Sequence, residues 1–294
     1  MNPLVGRETE AGQIRACLKA KRNVLLEGPV GVGKTHLALA ICEELKVPVF
    51  RIDGDNRYTE QKLSGWFDPP TVIKNGFSAE AFIPGPLVDA MKKGGILFIN
   101  EFNRLPEGVQ NVLLPAIDER IITVPRLGEI RAAPGFLVIA TQNPKEFVAT
   151  SHLSEAILDR FELVALDYQS EKEEIAIVTE SLKGASKGFD PRLPLASVRL
   201  TRITRDHPRV KRGASVRAAL SIAEITAVLM SERGSFEKSF LAAVLMALPT
   251  RIQIEREADS DRSARTELED LLREWCDEVL GDLDSAGGEI KKKK

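Results

Sequence analysis

Gly28, Gly33, Lys34 and Thr35 meet the pattern G-x-x-x-x-G-K-[ST] within the run GPVGVGKT. The chemistry of that spacing is phosphate binding. Glycines let the backbone curl so that its N–H groups and the N-terminus of the next helix face phosphate oxygens. The lysine then reaches the β and γ phosphates of a nucleoside triphosphate, and the Thr35 hydroxyl binds Mg²⁺. An apolar run from Asn23 to Glu27 precedes the loop and a helix-forming run from Thr35 to Leu45 follows it, which is the strand, loop and helix order the mechanism needs. A merely structural Gly-rich turn is the competing reading.

Phosphoryl chemistry needs a second strand whose end meets the metal and the attacking water. Gly95 to Ile99 followed by Asn100 and Glu101 fits, with Glu101 as general base and, failing that, a surface acid at a strand end. Asn100 stands where Asp usually holds Mg²⁺ or one of its waters. Its amide oxygen accepts a hydrogen bond but brings no charge to a divalent cation, so weaker Mg²⁺ binding or slower turnover is expected. A third strand, Phe136 to Ala140, ends in Thr141-Gln142-Asn143-Pro144. Asn143 there orients water or senses the γ phosphate, or else Asn-Pro is an ordinary turn.

These residues need a scaffold. Val24 to Leu26, Val47 to Ile52, Ile96 to Ile99, Phe136 to Ala140 and Leu163 to Leu166 read as strands buried on both faces, alternating with helical patterns. The expected fold is α/β, a parallel sheet covered by helices over residues 1–167, then an all-α domain over 168–281. Val216, Ala219, Leu220, Ala223 and Ala227, like Leu268, Leu271, Leu272, Trp275 and Val279, fall at helical spacing. Gly184 to Pro194 reads as a loop inside the helical part. Two insertions interrupt the first part: a long polar excursion around Asp55 to Pro84, and a hairpin around Ile121 to Ala132. Residues 282–294, with four terminal lysines, read as a disordered basic tail.

The 294 residues carry 41 basic and 43 acidic side chains, so no overall field draws the chain to nucleic acid or an anionic membrane. Its apolar runs are too short to span a bilayer and the start lacks a signal peptide's apolar region, which places the protein in the cytoplasm. Cys17, Cys42 and Cys276 are too scattered for a disulfide framework or zinc site, and so are His36, His152 and His207. The basic stretch Arg199, Arg202, Arg205, Arg209, Lys211 and Arg212 reads as a solvated or inter-subunit face more readily than as a nucleic-acid site, because no aromatics interleave it.

With those strand ends in place, the chain resembles the MoxR family of AAA+ ATPases over nearly its whole length. LVGRE at Leu4 to Glu8 is similar to the segment that opens the nucleotide site, LLEGPVGVGKT to Walker A, ILFINEFNR at Ile96 to Arg104 to Walker B, and ATQNP at Ala140 to Pro144 to sensor 1. LSEAILDRF at Leu153 to Phe161 is similar to the arginine-finger segment, GASVRA at Gly213 to Ala218 to sensor 2, and FIPGPL at Phe82 to Leu87 to the segment after the helix 2 insert. Val30, Val216 and Asn100 depart from the family pattern.

The resemblance implies ATP and Mg²⁺ held by Gly28, Pro29, Val30, Gly31, Val32, Gly33, Lys34, Thr35 and His36, with Thr35 and Asn100 on the metal side. It implies a ring, usually a hexamer, in which Arg160 acts in trans on a neighbour's γ phosphate and Arg217 contacts nucleotide from the helical lid. An ion pair of Arg160 with Asp159 or Glu162 is the alternative for that residue. The two insertions become a helix 2 insert and a pre-sensor 1 hairpin. The implied function is remodelling or maturation of a client protein complex, including metal or cofactor insertion, often with a von Willebrand factor A domain partner. A motor subunit of a nucleic-acid enzyme and an ATP-gated scaffold with weak hydrolysis are the other readings.

Overall fold

In the computed structural model, described for residues 4–143, 153–185, 189–232, 234–255 and 263–291, the chain divides into two units, 1–167 and 168–294. The first unit is built on five parallel strands: β1 (Asn23–Glu27), β2 (Val49–Asp53), β3 (Ile96–Asn100), β4 (Leu137–Gln142) and β5 (Phe161–Ala165), in the spatial order β2-β3-β4-β1-β5. Chain order and spatial order differ because each parallel pairing needs a crossover, so the strand ends that follow one another in space come from distant sequence. The central strands are buried in continuous runs, Val24 to Leu26, Ile96 to Ile99 and Val138 to Thr141. On the outer strands β2 and β5, only Ile52 and Val164 are buried. On one face Leu97, Ile99, Val138 and Ala140 pack with Leu87, Val88 and Met91 of the helix Pro86–Lys93. The helices Glu8–Lys19 and Lys34–Glu44 pack against the sheet and each other.

The strand limits move by at most two residues from the sequence reading. The second begins at Val49 rather than Val47, because the preceding helix closes through Lys46 at φ 54° and a bond from Val47 N–H to the Cys42 carbonyl. The fourth runs two residues past Ala140, and the fifth starts at Phe161 rather than Leu163. The 55–84 excursion is more regular than its composition promises. Thr59 caps the helix Glu60–Ser64, and Asp68 caps Pro69–Asn75, whose two leading prolines suit a first turn. Between and after them Gly65–Phe67 and Phe82–Pro84 pair antiparallel, and the Phe67 ring meets those of Phe77 and Phe82 at 5.1 and 5.3 Å. The expected hairpin forms as Ile121–Val124 against Gly128–Arg131.

The second unit contains the helices Glu171–Ala185, Leu193–Asp206, Val216–Glu232, Phe236–Ala247 and Ala264–Lys291, with a small antiparallel ribbon of Val210–Arg212 and Gln253–Ile254. Phe240, Leu272 and Trp275 lie in its core, and the His207 ring meets Trp275 edge-on at 5.0 Å. A disordered tail from residue 282 is not what the structure describes. The last helix runs to Lys291, continuing a stripe that buries Leu272, Trp275, Val279 and Leu283, and extending a formed helix is far easier than nucleating one. Lys292 to Lys294 lie outside the described residues. No helix among the described residues is long and apolar enough to cross a membrane.

Candidate functional site at the strand ends

The phosphate loop leaves β1 at Gly28 and enters the helix Lys34–Glu44 through Gly33. Gly31 and Gly33 hold φ of 81° and 91°, a region that disfavours any side chain, so the loop's curl is written into those two residues. A Cβ on Gly28 would run into the Leu166 carbonyl just beyond β5. No side chain caps the helix, which leaves its first N–H groups available to an anion. The Lys34 ammonium donates to the carbonyls of Gly28 and Pro29 at 2.6 and 2.8 Å, so it already lies along the loop. Val32 is buried, Val30 is 49% exposed, and Pro29 and His36 are half-buried at the loop and the first helical turn. Arg7 anchors the loop from outside, donating to the carbonyls of Val32 at 3.2 Å and Asp167 at 2.5 Å while pairing with Glu10.

β3 delivers Asn100 to the same place. Its amide oxygen accepts from the Thr35 hydroxyl at 2.8 Å and the Thr141 hydroxyl at 3.1 Å. Its NH₂ donates to an Asp53 carboxylate oxygen at 2.9 Å. A carboxylate only accepts, and that fixes which end of the amide faces which partner. Arg51 binds the same Asp53 carboxylate, and this pairing, aided by the Asn100 amide against a desolvation penalty, holds the Asp53 carboxyl below its ordinary range.

Glu101 follows in the left-handed region at φ 56°, ψ 55°, a conformation that costs a non-glycine residue about 1–3 kcal/mol and concentrates at functional sites. Its N–H donates to the Thr141 hydroxyl at 2.9 Å, so one buried threonine on β4 holds both Asn100 and Glu101. The Glu101 carboxylate pairs with Arg104 at 2.7 Å, both side chains being about half in solvent. Asn143, one residue past β4, is buried, and its carbonyl accepts from Asn103. The neighbouring Gln142 donates to Glu27 at 2.5 Å, tying the end of β4 to the end of β1.

The predicted residues therefore separate into two groups. Thr35, Lys34, Asn100 and Glu101 converge through direct bonds and through Thr141. Arg160 stands elsewhere, at the entry to β5. Neither Asp159 nor Glu162 supplies its carboxylate partner: Asp118, 42 residues away, takes a bidentate grip at 2.6–2.7 Å. That bond raises the guanidinium's pKa further. Arg217 is exposed on the first turn of its helix in the second unit.

Arg7, Asp53, Asp118 and Thr141 escaped the sequence reading as site residues. Arg7 and Thr141 lay inside the quoted stretches LVGRE and ATQNP. Asp53 and Asp118 had no motif signal, since only strand register and tertiary packing bring them in. The three cysteines are free thiols, and burial pushes Cys42 up to about 11 and Cys276 up to about 12.

The basic stretch of the second unit is paired within that unit. Arg199 binds Glu171, Arg202 and Arg205 share Glu174, Arg209 binds Glu267, Lys211 binds Glu255, and Arg212 donates to the Thr250 carbonyl.

The model of the AAA domain, dynein-related subfamily, matches residues 23–161, from the first residue of β1 to the first of β5. An uncharacterized protein of Staphylococcus epidermidis is 30% identical over 221 residues, covering 74% of this chain and 83% of the relative. Among solved structures, a variant of Thermotoga maritima RuvB superposes with a TM-score of 0.58 at 19% identity, over 84% of this chain and 73% of that one. Brucella abortus NtrX in complex with ADP gives 0.59 at 17% identity, over 99% of this chain and 69% of that one. At those identities the two structures speak for the fold, a parallel P-loop sheet followed by a helical region. The match from β1 to the start of β5 makes residues 23–161 of this chain an AAA domain of the dynein-related subfamily.

Proposed function

We propose that this protein hydrolyses Mg-ATP at a site shared between subunits of a ring, and that it uses the cycle to remodel or mature a partner protein complex, as a MoxR-type chaperone. The observation that carries the reading is the 2.8 Å bond from the Thr35 hydroxyl to Asn100, which ties the phosphate-loop helix to the strand end presenting Glu101. The residues fit the ligand: two left-handed glycines, an uncapped helix N-terminus and a lysine lying along the loop suit a polyphosphate. ATP supplies the γ-phosphoryl group, and Mg²⁺ offsets its charge.

Gly28 to His36 would cradle the phosphates, with Lys34 on the β and γ groups and Thr35 and Asn100 on the metal side. Glu101 takes the proton of the attacking water, and Asn143 orients that water. Arg160 reaches a neighbour's nucleotide, exchanging Asp118 for phosphate, and Arg217 contacts nucleotide from the helical unit. A protein client, in company with a von Willebrand factor A domain protein, is supported by the insert, where Trp66, Ile73, Phe77 and Ile83 stay exposed. A nucleic-acid motor has less support, because Arg199, Arg202, Arg205, Arg209 and Lys211 are paired with carboxylates of their own unit.

Phosphate release under saturating Mg-ATP tests the hydrolytic reading. Glu101→Gln should keep ATP binding and lower release by about 10²–10⁴-fold, the usual worth of a general base. Release from the wild type no faster than from Glu101→Gln would overturn hydrolysis and leave an ATP-gated scaffold.

A further inference from the structure

Asn100 brings no charge to the place where this fold presents a carboxylate to the cation, yet a carboxylate is one hydrogen bond away. β2 and β3 run parallel in a register that sets Asp53 opposite Asn100. Asp53 accepts from the Asn100 NH₂ at 2.9 Å, while the other end of the same amide accepts from the Thr35 hydroxyl at 2.8 Å. The contact is held by backbone: the Gly54 N–H donates to the Asn100 carbonyl at 2.7 Å, and a Cβ on Gly54 would collide with the Glu101 carbonyl. The strand end thus passes close to β3 only because residue 54 is glycine, and that fixes where Asp53 sits.

We infer that Asp53 supplies the negative charge that Asn100 lacks, so that the Asp53–Asn100 pair divides between two strands the work of one Asp on the metal side. The inference rests on the Mg-ATP reading and names a further residue of that site. Asn100 keeps the hydrogen-bond geometry toward Thr35 and Thr141, and Asp53 keeps the charge. Arg51 faces the same carboxylate at 2.7 Å and competes for it. Both members of that ion pair are about half in solvent, the setting in which such pairs are weak and exchangeable, so a divalent cation outbids it. The arrangement also says what Asn100→Asp does alone: it sets two carboxylates side by side, and their repulsion limits any gain in metal binding.

The test uses the full chain with a fluorescent ATP analogue and Mn²⁺ followed by electron paramagnetic resonance. Analogue binding in EDTA, lost in Lys34→Ala, checks the nucleotide reading; a wild type that does not bind overturns that reading and this inference with it. With analogue bound, Asp53→Asn should weaken Mn²⁺ about 10- to 100-fold, the range for residues that support a metal from behind its ligands. The swapped variant, Asp53→Asn with Asn100→Asp, should return to within about threefold of wild type, and Arg51→Ala should bind Mn²⁺ at least as well as wild type. Unchanged Mn²⁺ affinity in Asp53→Asn overturns the inference while leaving the nucleotide reading intact. So does Arg51→Ala weakening Mn²⁺ as much as Asp53→Asn, which would make the ion pair structural. Should Asp53→Asn lose analogue binding in EDTA, the swapped variant decides, and failure to recover overturns the inference.

Discussion

Arginine–carboxylate pairs occur in both units, but those around the strand ends of the first are made differently from the Glu174 cluster of the second. In the first unit Arg104–Glu101, Arg51–Asp53 and Arg160–Asp118 lie at or near the strand ends with both partners substantially in solvent. In the second, Glu174 is 2% exposed and is shared by Arg202 at 3.2 Å and Arg205 at 2.8 Å, with Arg205 stacked 4.0 Å over Tyr168. Exposed pairs contribute about 0–1 kcal/mol, so their members can change partners cheaply. Breaking a buried pair costs about 3–5 kcal/mol, because the surviving charge has nowhere to be solvated. The first set can exchange partners, whereas the Glu174 cluster fixes the helical unit.

Arg160 gives the comparison its largest expected effect. If its tie to Asp118 is an exchangeable resting contact, Arg160→Ala should leave folding stability within about 1 kcal/mol of wild type. Turnover, read as phosphate release, should nonetheless fall about 10³- to 10⁵-fold with ATP binding spared, the range for an arginine finger. Wild-type turnover in that variant would make Arg160 a surface ion-pair residue and nothing more.

Glu174→Gln tests the opposite case. Removing the charge leaves Arg205 buried beside a neutral group, and the second unit should lose about 3–5 kcal/mol. Trp275, 2% exposed in that unit's core, reports its unfolding by fluorescence once Trp66, exposed in the insert, is changed to Phe. A loss below about 1 kcal/mol would place Glu174 with the exposed pairs and dissolve the distinction.

What could be read in advance follows a similar line. The phosphate loop was legible because its chemistry is a backbone requirement, and Gly31 and Gly33 at positive φ are where that requirement sits. Asn100 and Glu101 were legible because a buried apolar run announces its own end. Asp53 and Asp118 were not, since neither strand register nor a contact 42 residues away leaves a local pattern. The insert's order was readable in Thr59, Asp68 and Pro69-Pro70, whose capping signals its polar composition masked. Gly and Ser in the last residues misled in the same way, by composition, where the helical stripe through Val279 and Leu283 carries the helix on.

An intermediate effect should come from Thr141→Val, which removes the hydroxyl that orients both Asn100 and the Glu101 backbone. Asn100 keeps its bond from Thr35, but leaving the half-buried Glu101 N–H without its partner should cost about 1–3 kcal/mol of stability, measured by denaturant unfolding. A change within about 0.5 kcal/mol would mean that the left-handed turn at Glu101 is held by something else.

The smallest effect is expected at Arg104. Its guanidinium binds the Glu101 carboxylate, but the Glu101 backbone is set by Thr141, so losing Arg104 frees a side chain without moving the turn. Arg104→Ala should therefore shift stability by less than about 1 kcal/mol and turnover by less than about fivefold, because an exposed pair stores no more than that. The wild type should approach the variant as salt rises from about 0.15 to 1 M, where the screening length falls from about 8 to 3 Å. A loss of turnover comparable to that of Glu101→Gln would show that Arg104 positions the base, and would move this pair from the exchangeable set to the fixed one.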